Sequence, residues 1–143
     1  MSPYSFQNEN KYFLIMIIVL ISSRNMMRHN FHMNQKGDEM YVVEIVSWKA
    51  ASDVADQKMI DAVQAMVPDL ETLPGFRYQS LSKDDEGLWM DIYYWDSKED
   101  ADNSNDLMAN KPSLHNLMAL IDMSSLKIEV LTPYQESGSV NFT

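Results

Sequence analysis

The sequence predicts an α+β fold, a four-stranded antiparallel sheet with helices on one face, and three observations predict it. Residues 73–101, LPGFRYQSLSKDDEGLWMDIYYWDSKEDA, run in the order helix end, strand, turn, strand, helix start. On either side of that segment the apolar spacing switches between the two-residue period of a strand and the 3.6-residue period of a helix. The strand at 88–95 carries large apolar side chains on both faces, Trp89, Tyr93 and Trp95 on one and Met90, Ile92 and Tyr94 on the other.

Each element has its own local reason. Residues 41–48 (YVVEIVSW) are rich in β-branched and aromatic side chains, the composition of a buried strand. Ser52 or Asp53 is placed to cap the following helix, which extends to about Leu73 with Val54, Ala55, Met59, Ile60, Val63, Met66, Val67 and Leu70 at helical spacing. Pro68 falls inside that pattern and predicts a kink or a break. Leu73-Pro74-Gly75 ends the helix, and residues 76–83 form the second strand. The turn Asp84-Asp85-Glu86-Gly87 lacks the alternating ligand spacing of a calcium loop and is a hairpin turn, Gly87 supplying the positive φ. Asp96-Ser97 caps the next helix, where Glu99 and Asp100 suit the positive end of the dipole. Pro112 starts a second helical piece, residues 113–121 (SLHNLMALI), with Leu114, Leu117, Met118 and Ile121 on one side. Residues 124–132 (SSLKIEVLT) are a last strand, alternating Leu126, Ile128 and Val130 against Lys127, Glu129 and Leu131.

The resulting order β-α-β-β-α-β is the ferredoxin-like split βαβ arrangement. Its helices leave one sheet face uncovered, and two-fold pairing of identical sheets covers it. A strand with one wet face does not carry rings on both sides, so the expected assembly is a homodimer.

The domain assigned by this pattern is 40–134, with 135–143 a polar tail and 1–39 a leader of different character. The formal charge of −10 lies wholly beyond Met40, because Lys11, Arg24, Arg28 and Lys36 outweigh Glu9, Asp38 and Glu39 before it. An acidic body repels phosphate and anionic lipid, which disfavours nucleic-acid and peripheral membrane partners. No cysteine is present, so disulfides, thiolate chemistry and cysteine-based metal sites are excluded, in keeping with a cytoplasmic location. The run at 12–21 (YFLIMIIVLI) is short of the roughly 20 residues of a stable membrane span. Its length suits a secretory h-region, which would make the protein exported. Lys36-Gly37-Asp38-Glu39-Met40 is also what a purine-rich ribosome-binding sequence before a start codon yields when translated. Three readings of the leader therefore stand: a start at Met40, a signal or anchor, and a genuine extension.

Leu73-Pro74-Gly75-Phe76, the Trp89 to Trp95 strand running into Trp95-Asp96-Ser97-Lys98-Glu99-Asp100-Ala101, and the helix-to-strand join at Asp122 together resemble the dimeric α+β barrel superfamily. Within it, residues 40–134 are similar to the antibiotic-biosynthesis-monooxygenase-like (ABM-like) domains. The resemblance implies two four-stranded sheets paired as a barrel. It leaves activity open, since the superfamily spans cofactor-free monooxygenases, haem-degrading enzymes, lactone isomerases and peroxidases, and fold alone does not choose among them. In the haem-degrading branch a histidine on the helix before the last strand ligates iron, which makes His115 a candidate. The asparagine and tryptophan that accompany it there have no counterpart, because the first strand carries Glu44 and the helix lacks tryptophan.

The residues supply further candidates. Glu44 interrupts an apolar strand beside Val42, Val46 and Trp48, and Asp91 holds the equivalent position among Trp89 and Tyr93. A buried carboxylate has a raised pKa and serves as a general base toward an acidic C–H or phenolic O–H; otherwise it is a hydrogen-bonded strand residue. Whether the two share a face depends on register. Trp48, Trp89, Tyr93 and Trp95 suit either a pocket for a flat hydrophobic ligand or a core and dimer interface.

No nucleotide-binding glycine loop, triad spacing or metal-ligand cluster occurs, so kinase, hydrolase and zinc-enzyme readings lack support. Two function classes remain. One is a monooxygenase-like enzyme using neither metal nor flavin, with Glu44 or Asp91 as base; the other is a non-catalytic homodimeric module that binds a small hydrophobic molecule. An open cavity with a convergent carboxylate favours the first, and a space filled by Met59, Met66, Met108 and Met118 the second.

Overall fold

A computed structural model describes residues 41–142, and the leader at 1–39 lies outside them. Seven elements follow in order: β1 (Val42–Ala50), α1 (Asp56–Leu70), β2 (Phe76–Lys83), β3 (Leu88–Trp95), α2 (Lys98–Met108), α3 (Pro112–Met118) and β4 (Ile121–Leu131). The strands form one sheet in the order β2-β3-β1-β4, each neighbour antiparallel, which is the ferredoxin-like α+β arrangement. Among the described residues no helix is long and apolar enough to cross a membrane.

The first helix starts later than the sequence predicts. Ser52 and Asp53 form a turn, Asp53 taking a left-handed backbone (φ 63°), and the N-cap is Ala55 with no side-chain hydrogen bond. An aspartate tolerates that conformation where most side chains do not, so it serves the turn instead of the cap. Pro68 neither breaks the helix nor ends it. It sits in the last turn on the exposed side, and the bond it removes belongs to the carbonyl of the equally exposed Gln64, which water can satisfy. The buried stripe is Met59, Val63, Met66 and Leu70.

β4 begins at Ile121, which the helical spacing of Leu114, Leu117 and Met118 assigns to the preceding helix. The β1–β4 register shifts between Ser47 and Lys49, and β4 absorbs the extra residues there. Ser125 bridges the interruption: its Oγ accepts from Lys49 N at 2.8 Å and donates to the Asp122 carbonyl at 2.6 Å. The buried Ile121 thus belongs to a short stub of ladder, paired with Ala50, ahead of the bulge.

The two motifs that carried the resemblance touch each other. Gly75 (φ 75°) turns the chain out of α1, and its carbonyl accepts from Asp96 N at 2.8 Å. Ser97 caps α2 as expected, its Oγ accepting from Asp100 N at 3.1 Å and donating to Asp100 Oδ2 at 2.9 Å. That holds the Asp100 side chain directly over Gly75, and Arg77 pairs with Asp96 beside it. The hairpin turn is equally local: Asp84 Oδ1 accepts from the backbone N–H of Glu86 and Leu88, and Gly87 has φ 86°.

A methyl group at Gly75 would lie 2.1 Å from Asp100 Oδ2 and 2.7 Å from its Cβ, whereas one at Gly87 would meet nothing within 4 Å. Both positions have positive φ, so the difference isolates packing. Gly87→Ala is expected to cost about 1 kcal/mol and Gly75→Ala about 3 kcal/mol, the excess coming from overpacking. Urea denaturation of the two variants checks this, and equal losses would show that Asp100 yields freely.

Candidate functional site

Strand alternation carries Val42, Glu44, Val46 and Trp48 of β1 to the helix-covered face, and Trp89, Asp91, Tyr93 and Trp95 of β3 to the same face. The register makes Glu44 the partner of Tyr93, and Val46 the partner of Asp91. Residues directly opposite in an antiparallel pair point the same way, so Glu44 and Asp91 are diagonal neighbours on one face, on the order of 7 Å apart. The question left open by the sequence is thereby answered. Both carboxyls are sealed from solvent, Glu44 at 3% exposure and Asp91 at 0%.

Their partners differ. Glu44 Oε2 accepts from the Trp95 indole N–H at 2.8 Å. Asp91 accepts from the Tyr93 hydroxyl on one oxygen and from the Gln79 amide on the other. Burial pushes Glu44 up to about 7; the Trp95 hydrogen bond opposes this, and the charges of Asp102 and Asp91 add to it. Burial likewise pushes Asp91 to about 6 against the hydrogen bonds of Tyr93 and Gln79. Tyr93 is held well above its ordinary value by burial and then by Asp91. Two buried acids in different settings, both able to exchange a proton near neutrality, are an arrangement suited to acid–base chemistry.

Aromatic rings wall the pair. Tyr93 stacks on Trp95 with centroids 6.3 Å apart, and Phe76 meets Trp95 edge-on at 5.6 Å. Trp48 faces Trp89 across the β1–β3 ladder, and Lys83 Nζ sits 5.1 Å from the Trp89 ring centre at the rim. Trp48 Nε1 is a buried N–H without a hydrogen-bond partner among the described residues. All four predicted aromatics lie in the interior; Tyr94 is the β3 ring that faces away from the described helices. The space between sheet and helices holds the buried Met59, Met66 and Met108, with Met118 half-buried, which is the arrangement expected of a non-catalytic module.

His115 is apart from this group. It is exposed, with Nε2 2.7 Å from the Ala109 carbonyl, where it ties α3 to the end of α2. A haem ligand needs an imidazole aimed between helices and sheet, so the residues present do not fit that group. Gln79 and Asp102 are the site residues that sequence reasoning missed. Gln79 offers only a weak signal, a polar residue on the same side of β2 as Leu81, and Asp102 is one acid among several on α2.

No protein-family model matches the chain, and no curated protein does. Solved structures do match. SnoaB, a cofactor-independent oxygenase from Streptomyces nogalater, is 14% identical with a TM-score of 0.56 over 70% of this chain and 99% of its own. A provisionally named antibiotic biosynthesis monooxygenase from Nitrosomonas europaea is 11% identical with a TM-score of 0.57 over 74% and 100%. Another, from Chloroflexus aurantiacus J-10-fl, is 17% identical with a TM-score of 0.51 over 68% and 97%. At such identities the likeness establishes the fold, which is that of the ABM-like proteins.

The carboxyls also set a pH dependence of stability. Folding raises Glu44 from 4.5 to about 7 and Asp91 from 3.8 to about 6, so the native chain holds more protons than the unfolded chain between these values. Their contribution is fully present below about pH 4 and is lost as pH rises through 6 and 7. Glu44→Gln and Asp91→Asn should therefore flatten the decline and leave each variant about 1–3 kcal/mol more stable than the parent at pH 8. Urea titrations at acid and alkaline pH test this; parallel pH curves for parent and variants would mean that the carboxyls ionise freely in the native state.

Proposed function

We propose that this chain is a homodimeric, cofactor-independent monooxygenase acting on a small aromatic, enolisable compound. The observation that carries the reading is the Glu44–Asp91 pair, buried on one face of the sheet among tryptophan and tyrosine. Burying ionisable groups this way costs stability that an apolar core would not, and functional sites are where that cost recurs. The name of SnoaB, with which the chain shares its fold, states the same class of activity for that protein.

The chemistry needs little else. A carboxylate, Glu44 being the more basic of the two, removes the proton from an acidic C–H of the bound substrate. The resulting carbanion passes one electron to dioxygen, the radical pair combines to a hydroperoxide, and loss of water leaves a carbonyl. One CH2 group and one O2 become one C=O group and one water, so the substrate supplies every electron. The neighbouring acid, protonated, supports the departing oxygen. A dry aromatic enclosure favours the carbanion step by keeping competing proton donors out. The orphaned Trp48 N–H is a donor ready for a substrate oxygen.

The homodimer follows from the uncovered sheet face, where β1 presents Val43 and Ile45 and β3 presents Met90, Ile92 and Tyr94. A second copy's sheet is the self-complementary cover.

A second reading rests on Met59, Met66 and Met108, which occupy the sheet–helix space and would have to move aside for a ligand. It makes the chain a module that binds a small hydrophobic molecule without transforming it, methionine being the side chain best able to repack. Oxygen uptake separates the two. With polycyclic phenols and enolisable aromatic ketones, the parent should consume oxygen at a rate rising through about pH 7, in step with Glu44. Glu44→Gln should reduce that rate by roughly a hundredfold or more. Ligand-dependent quenching of tryptophan emission with no oxygen uptake would establish the module, and an unaffected Glu44→Gln rate would remove Glu44 from the mechanism.

A further inference from the structure

The uncovered sheet face is not bare in the single chain. The segment after β4 turns back across the sheet from the β4 edge to the opposite side, and Phe142 settles among three tyrosines. Its ring centre lies 5.0 Å from Tyr94 on β3, 5.8 Å from Tyr41 ahead of β1 and 6.3 Å from Tyr78 on β2. Tyr94 also contacts Tyr41 and Tyr78 directly, so the three rings form a continuous socket over the end of three elements. Tyr94 and Tyr78 are register partners and point away from the helices. Glu136 on the same segment acts on Tyr41, whose hydroxyl proton is held more tightly than usual.

An open pocket of about 250 Å3 is bounded by Arg77, Tyr78, Tyr94, Val140, Asn141 and Phe142. Val140 is 46% exposed and Tyr134 95% exposed, so Phe142 is the ring of the segment that packs on the sheet. Residues 132–142 (TPYQESGSVNF) are otherwise polar, with no regular structure to stiffen them.

Two sheets packed face to face lie about 10 Å apart, a distance filled by the side chains of the two inner faces. A polypeptide segment with its own backbone and a phenylalanine ring has no room in that layer. We propose that the segment containing Phe142 is a releasable strap that competes with a second copy of this chain for the Tyr41–Tyr78–Tyr94 socket, and so sets how readily the chain dimerises. The inference rests on the homodimer reading above. Docking of the strap and pairing of the sheets at this corner exclude each other, so the free energy of docking is subtracted from that of association.

Sedimentation velocity over a wide concentration series tests this on the full chain, on Phe142→Ala and on a chain ending at Pro133, with Tyr134→Ala as an exposed control. The expected result is a dimer dissociation constant lower by roughly tenfold in Phe142→Ala and in the shortened chain, the size set by the lost ring contacts. Tyr134→Ala should match the parent. Circular dichroism and urea midpoints of each variant report whether the fold is kept. A dimer that forms equally well or less well without the strap overturns the inference and leaves the homodimer standing. Chains that all remain monomeric at the highest concentration overturn both.

Discussion

The register between β1 and β3 is the constraint on which the rest of the structure depends. With Glu44 opposite Tyr93 and Trp48 opposite Trp89, every large ring of the two central strands except Tyr94 enters the helix-covered interior. A slip of one residue would carry one strand's set to the other face, turning outward either Glu44 and Trp48 of β1 or Trp89, Asp91, Tyr93 and Trp95 of β3. What holds the register is the burial of Trp48 and Trp95, each 1% exposed, in one core cluster with Met59, Met66 and Leu70 of α1. The acids are carried inward by the same alternation that buries the rings, so their position is a consequence of packing even though their presence opposes it.

That opposition is only partly relieved. Each carboxyl has hydrogen bonds that favour its charged form, Trp95 for Glu44 and Tyr93 with Gln79 for Asp91, yet burial outweighs them in both cases. Asp102, 15% exposed and bridged to Lys98 at 2.6 Å, adds like charge near Glu44 instead of cancelling it. Burial by the same packing that orders the strands is thus what raises the proton affinity of both acids.

How much of this is legible in the sequence follows the range of the interactions involved. The 88–95 strand, the Asp84–Gly87 turn and the Ser97 cap are fixed by neighbours within a few residues, and they fall where the sequence puts them. Where a signal is ambiguous over a short range, the assignment fails: Ile121 continues a helical spacing by chance, but Leu120 turns the chain and Ile121 pairs with Ala50. Ser52 and Asp53 look like caps for the same reason, until a left-handed turn claims them. The candidates Glu44 and Asp91 stand out because charge is rare in such strands. Their sharing of a face, the role of Gln79 and the remoteness of His115 depend on strands distant in sequence, which no local pattern encodes.

The two faces of β3 differ in how firmly they are covered. Inside, Tyr93 and Trp95 are buried and stacked on each other. Outside, Tyr94 is covered by Tyr41, Tyr78 and the ring of Phe142, beside an open pocket. A strand apolar on both sides is stable only when both are shielded from water, and here the inner shield is core packing while the outer one rests on ring contacts. Tyr93, Tyr94 and Trp95 are consecutive, so the outer cover rests on the same peptide units that hold the donors to Asp91 and Glu44. The sheet therefore joins the acid-bearing interior to the Tyr41–Tyr78–Tyr94 surface through three consecutive residues of β3.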